Sequence, residues 1–185
     1  MHYCLMLFTQ EFPKKEDIEN IMSKYNDNVV YSDDEEKEIE YPQIMYDWYQ
    51  IGGRYNGSVK LKVDKDNEVY RWKFYEMNPR NGRLFRSRLL SDMQENKTRF
   101  YNEEDYFRSM GYNDGFLYVD CTKISDVLNL EQIECYAFIG FDGEAYARSW
   151  WNGNDFIPND DFDERLKAEK EKSKDGYVTI IDYHD

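Results

Sequence analysis

Two apolar segments near the two ends of the chain constrain the fold more than any other feature of the sequence. Residues 3–8 (YCLMLF) form an unbroken apolar run, and residues 177–183 (YVTIIDY) form a second run that is almost as apolar. Runs of this length are typical of strands, and an unbroken one is typical of a strand buried on both faces. The sequence therefore predicts a buried first strand and an apolar last strand.

Helical and turn signals lie between these strands. A helix is predicted over residues 13–25, and a second begins at Asn159 or Asp160 and reaches about Lys172. Asp142-Gly143, between two apolar runs, is the strongest hairpin signal. The shorter predictions are a strand at residues 29–31, an acidic loop at 32–40, a hairpin at 58–74, a helix at 102–110, a strand at 116–119 and a brief helix capped by Ser125.

This element order predicts an α+β fold. A strand, a helix and strands at the front, followed by strands, a helix and a strand at the back, match a ferredoxin-like (split βαβ) antiparallel sheet with helices on one face. The hairpin at residues 58–74 and the basic segment after it would form an insertion at about residues 56–110. Because 185 residues without a repeat or linker suit one core, residues 1–185 are predicted to be a single domain.

The charge of the chain limits its partners. A net charge of −14 argues against direct binding of nucleic acid, which needs a cationic face. The same charge permits a nucleic-acid mimic that presents carboxylates to a basic host protein, although an acidic surface also serves solubility alone. Residues 71–99 are an exception, since bases outnumber acids there.

Cysteine usage and hydropathy indicate the compartment. Cys4, Cys121 and Cys135 show no C-x-x-C spacing, and Cys4 and Cys135 lie in apolar, strand-like runs, which predicts buried free thiols. Free thiols fit a reducing compartment. The sequence has no apolar run long enough for a membrane span and no signal-peptide pattern at its start. A cytoplasmic location in a host cell is therefore expected.

Residues 46–57 (YDWYQIGGRYNG) form the most unusual segment. They contain four aromatic residues, three glycines and Arg54. Glycines beside an arginine and flat rings predict a backbone that passes close to a planar or anionic group. The alternative is a tight turn whose rings fill the core and whose Arg54 pairs with Asp47.

Arginines and tryptophans define the predicted binding site. Arginine forks match pairs of phosphate oxygens, and aromatic rings can stack on a base or on a partner side chain. The predicted ligand-binding residues are Trp48, Tyr49, Gly52, Gly53, Arg54, Tyr55, Arg148, Trp150 and Trp151; Arg80, Arg83, Arg86 and Arg88 are further anion-binding candidates. The chain lacks the Walker, G-x-G-x-x-G, C-x-x-C and H-E-x-x-H patterns, so no cofactor and no metal is predicted.

Asp182 and His184 are an alternative, catalytic pair. One residue separates them on a predicted strand, so their side chains share a face. A carboxylate beside an imidazole can orient it as a general base. The competing interpretation is an exposed and fraying end of the chain.

Three blocks resemble a family of uncharacterised proteins of bacteriophages and prophages. Residues 47–55 (DWYQIGGRY) are similar to the family's D-W-Y-x-I-G-G-R-W motif, and residues 136–144 lead through a D-G-E turn to Trp150-Trp151-Asn152-Gly153. Residues 178–184 (VTIIDYH) resemble a V-V-D-C-H ending. Tyr55 replaces the usual tryptophan. Tyr183 stands where a cysteine is common, which argues against chemistry that needs a thiol there. The resemblance implies phage origin and a shared fold, and phage origin favours a protein that acts against host defence or host enzymes.

Three functions follow from these features. The first is a non-catalytic binding protein, acting against host defence, that holds a nucleotide-like or phosphorylated small molecule between the glycine-arginine turn and the tryptophan hairpin. The second is an acidic protein-protein inhibitor, a nucleic-acid mimic of a host nucleic-acid-handling enzyme. The third is a phosphoester hydrolase that uses Asp182 and His184.

Overall fold

The computed structural model describes residues 1–30, 41–62, 70–78, 82–89, 112–113 and 116–185. The protein has a mixed α/β fold with a mostly antiparallel main sheet. In chain order, the strands and helices are β1 (His2–Thr9), α1 (Lys15–Met22), α2 (Asp27–Val30), β2 (Trp48–Ile51), β3 (Val59–Lys62), β4 (Tyr70–Asn78), β5 (Gly82–Leu89), β6 (Tyr112–Asn113), β7 (Phe116–Val119), β8 (Cys121–Lys123), β9 (Ala137–Ile139), β10 (Ala145–Ala147), β11 (Ser149–Trp151), β12 (Phe156–Pro158), α3 (Phe162–Lys172) and β13 (Tyr177–His184).

The predicted first and last strands form the centre of the main sheet. β1 and β13 pair antiparallel along their whole length, from His2 opposite His184 to Thr9 opposite Tyr177. β9 lies parallel to β1 on its other edge, and β10 pairs antiparallel with β9. Two strands share the edge of β13 opposite β1. β8 pairs with the first residues of β13, and β2 pairs with its last residues. β4 and β5 continue the sheet beyond β8.

Both faces of β1 and β13 are buried because their side chains alternate between two cores. Leu5 and Leu7 face one side, where the core includes Ile18 and Met22 of α1. Met6 and Phe8 face the other side, where the core includes apolar residues of α3 and of β3 and β7, two strands of a separate sheet. The helices therefore lie on opposite faces, and the prediction of helices on one face is wrong. An apolar strand with two apolar faces needs cover on both.

The strand order matches the ferredoxin-like prediction only in part. β1 and β2 each run antiparallel to β13, so they are parallel to one another with β13 between them, as in a split βαβ unit. β9, however, lies parallel to β1 and directly beside it, which departs from a wholly antiparallel layer.

Two local predictions are wrong. The hairpin predicted at residues 58–74 does not form, because β3 pairs with β7 and β4 pairs with β5 and β8. The strand predicted at residues 29–31 is replaced, over its first two residues, by the short helix α2. The predictions for residues 32–40 and 102–110 lie outside the described residues.

Other predictions are confirmed. The Asp142-Gly143 turn joins β9 to β10 in an antiparallel hairpin. α1 and α3 lie where helices were predicted, with first residues at Lys15 and Phe162, and β7 occupies residues 116–119. The three cysteines are buried and free. Across the described ranges, every helix is too short or too polar to cross a bilayer.

Candidate functional site

The twin-glycine turn lies where β2 and β8 meet along the edge of β13. The Gly52 N–H donates to the Ile180 carbonyl at 2.8 Å, and the Ile180 N–H donates to the Asp120 carbonyl at 2.8 Å. Gly52 and Gly53 have φ values of +71° and +55°, which side chains rarely adopt. The chain therefore leaves β2 in a sharp turn, and Gly53–Tyr55 forms one turn of 3₁₀ helix.

Two aspartates explain why both positions are glycine. A Cβ on Gly52 would lie 2.8 Å from Cγ of Asp120, and a Cβ on Gly53 would overlap the side chain of Asp182. The close approach of the backbone to an anionic group, predicted from the sequence, is thus present. The anions are two carboxylates of the protein itself.

Both carboxylates are almost completely buried and accept hydrogen bonds from the turn. Asp120 is 0% exposed, and its Oδ1 accepts from the Gly57 N–H at 2.6 Å. Asp182 is 1% exposed, and its Oδ2 accepts from the Arg54 N–H at 2.9 Å. Buried carboxylates need such donors to offset lost hydration. The second oxygen of Asp182, Oδ1, lies 2.9 Å from Nδ1 of His2, so Asp182 links the turn to a histidine.

His2, Asp47, Trp48, Asp182 and His184 form what we term the histidine cluster. The two imidazole rings are 5.2 Å apart between centroids and meet edge to face at 75°. Nδ1 of His184 lies 2.9 Å from Oδ1 of Asp47, so each imidazole has its own carboxylate. Trp48 stacks on His184 at 5.6 Å with an interplanar angle of 9°, and its ring is 5.1 Å from that of His2.

The strand register creates this cluster. His2 pairs directly with His184, and His184 pairs directly with Trp48, so three rings lie side by side on β1, β13 and β2. Asp182, two residues before His184, shares its face because strand side chains alternate. Asp47 is placed by its backbone, whose N–H donates to the His184 carbonyl at 3.1 Å.

The cluster grades from buried to exposed. His2 lies largely within the fold against buried Asp182, whereas His184 is about one-third exposed and its partner Asp47 is half exposed. Desolvation alone would raise the pKa of the Asp47 carboxyl, but hydrogen bonds from the His184 imidazole and the Trp48 N–H outweigh it and lower the pKa. An imidazole with Nδ1 on a carboxylate can exchange a proton through Nε2. The Met1 amino nitrogen lies 3.3 Å from Nε2 of His184.

Several predicted site residues surround this cluster. Trp48 belongs to it, Gly53 and the Arg54 backbone contact Asp182, and the Tyr55 hydroxyl donates to the His2 carbonyl at 3.3 Å. The Arg54 side chain is exposed, and no ion pair involving it is recorded among the described residues. Asp47, the partner considered for Arg54, instead binds His184.

The remaining predicted residues lie elsewhere. Tyr49 faces the opposite side of β2, where its ring is 5.2 Å from Tyr46 and where burial raises its pKa. Arg148 donates to the Cys135 carbonyl at 3.1 Å and to Asp163 at 2.8 Å. Trp151 packs on Phe156 at 5.3 Å. The structure does not place these residues in one pocket with the glycine turn.

Trp150 lines a separate concave region, which we term the aromatic groove. Its volume is about 670 Å³. Its lining residues include Tyr25, Tyr41, Gln43, Glu144, Trp150 and Asn152. The groove contains no residue of the glycine turn.

Sequence reasoning placed Asp182 and His184 on one face but did not identify their partners. Asp182 binds His2 rather than His184, and His184 binds Asp47. The missed residues are His2, Asp47 and Asp120. One signal for His2 was available, because the chain contains two histidines and each lies at the outer end of a predicted terminal strand. Antiparallel pairing of those strands would bring the histidines together.

Comparisons with protein-family models, with curated proteins and with solved structures find no match. The resemblance to bacteriophage proteins therefore stays a prediction. Within the described ranges, histidine, cysteine and acidic side chains do not form a group of three or more suited to a metal ion.

Proposed function

We propose that the protein binds a phosphorylated, nucleotide-like small molecule at the histidine cluster. The observation that carries this proposal is the pair of imidazoles with centroids 5.2 Å apart, each held at Nδ1 by a different carboxylate at 2.9 Å. A protonated imidazole fixed in this way has an Nε2–H that can donate to a phosphate oxygen. On His184 the Nε2 position faces the Met1 amino group at 3.3 Å, so a phosphate bound there would displace that group or share it.

Trp48 and Arg54 supply the other features that such a ligand requires. Trp48 is 41% exposed, so part of its ring is open to stacking by a base. The backbone of Arg54 is anchored because its N–H donates to Asp182. The side chain is exposed, and its guanidinium can offer a planar fork to phosphate oxygens. Base, phosphate and arginine contacts would then come from one end of the sheet.

The negative charge of Asp182 repels a phosphate less than a carboxylate without hydrogen bonds would. Both oxygens of Asp182 already accept hydrogen bonds, one from His2 and one from the Arg54 backbone. Hydrogen-bond donors at this distance offset the charge of a carboxylate. The resemblance to phage proteins supports a role against host defence, in which the protein would capture such a molecule in the host cytoplasm.

Titration with adenosine monophosphate, guanosine monophosphate and inorganic phosphate tests the proposal. We expect the imidazole NMR signals of His2 and His184 to shift and Trp48 fluorescence to change on binding. Trp48→Leu should weaken nucleotide binding about tenfold. Trp151→Leu, at a partly exposed tryptophan of the β11–β12 pair, should leave it unchanged. The proposal would be rejected if none of the three compounds shifted the imidazole NMR signals of His2 or His184.

A second candidate function, phosphoester hydrolysis, is favoured by the separate carboxylate of each imidazole. One histidine would accept a proton from water as the water oxygen bonds to phosphorus. The other, protonated, would donate its proton to the leaving alkoxide oxygen as the phosphorus–oxygen bond breaks. The products are an alcohol and phosphate, and no further reactant is required.

Release of inorganic phosphate from the same nucleotides separates the two functions. Hydrolysis predicts turnover by the parent protein and a loss of about 100-fold in His2→Asn and in His184→Asn. Binding without phosphate release would leave the binding proposal intact and exclude hydrolysis of these substrates. Full turnover by His184→Asn would exclude hydrolysis by this histidine pair.

A further inference from the structure

The aromatic groove has three rings and one carboxylate in its walls. Tyr25, Tyr41 and Trp150 supply the rings, and Glu144 supplies the carboxylate. A volume of about 670 Å³ lies within the usual range of small-molecule sites. The groove is separate from the histidine cluster, since the two share no residue.

Contacts outside the groove hold these rings in place. The Tyr25 hydroxyl donates to the Gly143 carbonyl at 2.6 Å. The Tyr41 ring lies against Gly153, where a Cβ would be 2.8 Å from its Cε2. Trp150 is on β11, paired with Ile157 of β12. Rings fixed in this way need little ordering when a ligand binds.

Gln43, another lining residue, is fixed as well. The Gln43 side-chain oxygen accepts from the Ala147 N–H at 3.2 Å and from Asn159 Nδ2 at 2.6 Å. The side-chain carbonyl of Gln43 is therefore already hydrogen-bonded within the protein, and it holds residues 41–43 against β10.

The charge in the groove is negative. Glu144 is exposed, and no ion pair involving its side chain is recorded among the described residues. Burial raises the pKa of Tyr25 to about 12, and the Glu144 charge adds to the effect, so the carboxylate acts on the ring. Among the described residues, no lysine or arginine belongs to the lining. Lys24 is nearby, with Nζ 3.5 Å from the position of a Cβ on Gly143.

We propose that the aromatic groove binds a small organic ammonium ion, with the cation against Trp150 and Tyr41 and with Glu144 as its counter-charge. The faces of aromatic rings attract cations, most strongly for tryptophan, and a carboxylate adds to the attraction. The same carboxylate disfavours phosphates, so this ligand differs in sign from the one proposed for the histidine cluster. The proposal does not depend on the function of that cluster.

Choline and its neutral isostere 3,3-dimethylbutan-1-ol test the proposal, because they differ mainly in charge. We expect choline to shift the NMR signals of Trp150 and Tyr41, and to bind at least tenfold more tightly than the alcohol. Trp150→Ala and Glu144→Gln should each weaken choline binding about tenfold. Trp151→Ala, on the same hairpin, should leave choline binding unchanged.

Trp150→Phe is a control for the chance that Trp150→Ala unfolds, since phenylalanine keeps a ring on β11. It should retain measurable choline binding at an unchanged melting temperature. Equal affinity for choline and the alcohol would overturn the proposal, because the groove would then select apolar shape alone. Unchanged choline binding by Glu144→Gln, or no shift at Trp150, would overturn it equally.

Discussion

At the scale of single residues, Gly52 and Gly53 are the most constrained positions of the candidate site. Both have positive φ, and a side chain at either would meet a buried carboxylate. The sequence predicted a close approach to an anion. It did not reveal that Asp120 and Asp182 are the anions. Asp120 lies 68 residues after Gly52, and Asp182 lies 129 residues after Gly53, so only the fold brings them near.

We predict that Gly53→Ala lowers the free energy of unfolding by about 3 kcal/mol, since left-handed strain adds to overlap with Asp182. Gly143→Ala is the matched control. Gly143 has a φ of +79°, but among the described residues a Cβ there would contact only Lys24 Nζ at 3.5 Å, so strain alone should cost about 1 kcal/mol. Urea denaturation of both variants measures the difference. Equal losses would show that the carboxylate overlap contributes nothing.

Asp47 gives a prediction on pH. Its pKa in the folded protein lies below the usual 3.8, because hydrogen bonds from His184 and the Trp48 N–H outweigh desolvation. A lowered folded-state pKa gives stability that is present above the unfolded-state value and is lost as pH falls through the folded-state value. We expect His184→Asn to raise the Asp47 pKa, as measured by carboxyl-carbon NMR between pH 2 and 6. His2→Asn, which removes the partner of Asp182, should change it less.

At the scale of elements, Glu169 joins α3 to the turn between β9 and β10. Its Oε1 accepts from the Phe141 N–H at 3.0 Å and from the Ser173 hydroxyl at 2.8 Å, and its Oε2 lies 3.2 Å from Lys172 Nζ. Glu169 is 8% exposed, so these donors have little access to water if the carboxylate is removed.

Glu169→Ala should therefore lower the free energy of unfolding by about 2–3 kcal/mol, because one buried donor and one part-buried donor lose their acceptor. Glu169→Gln keeps an acceptor oxygen in the same place, and we expect a loss below about 1 kcal/mol. Thermal or urea unfolding compares the two. A similar loss in both variants would mean that the negative charge, rather than the hydrogen bonds, holds the helix to the turn.

Elements defined by local signals were predictable, whereas their partners were not. The Asp142-Gly143 turn specifies a hairpin between neighbouring segments, so β9 and β10 followed from the sequence. The alternation that predicted a hairpin at residues 58–74 identified β3 correctly, but β3 pairs with β7, more than fifty residues later. A period of two shows that a strand has an apolar face and does not show which strand lies beside it.

At the scale of the whole molecule, the three thiols report on global unfolding. Cys4 is in β1, Cys121 is in β8, Cys135 precedes β9, and all three are buried. Burial raises the pKa of Cys4, and it raises that of Cys135 to about 12, so little reactive thiolate is present near neutral pH.

We predict that a thiol reagent at pH 8 labels the folded protein far more slowly than the urea-unfolded protein, with the three cysteines reacting at similar rates. Mass spectrometry of partly labelled protein measures this. Rapid labelling of one cysteine alone in the native protein would show that its strand opens independently of the others.

The overall charge and the two-sided core had different predictive value. The apolar terminal strands correctly predicted a buried centre, but their two apolar faces also required cover on both sides, which the predicted one-sided arrangement omitted. The nucleic-acid mimic stays a prediction that charge alone supports. The histidine cluster could not be derived from local patterns, because it depends on the exact register of β1, β13 and β2.

That register has a consequence for ligand capture. His2 and His184 are the last pair of a continuous antiparallel ladder, and Trp48 is fixed beside them by β2. The spacing of the three rings is therefore set by the backbone of the sheet, and rotation of a flexible loop is not needed to assemble them. A ligand at this position would meet a preorganised surface, so the entropy of arranging the site has already been lost during folding.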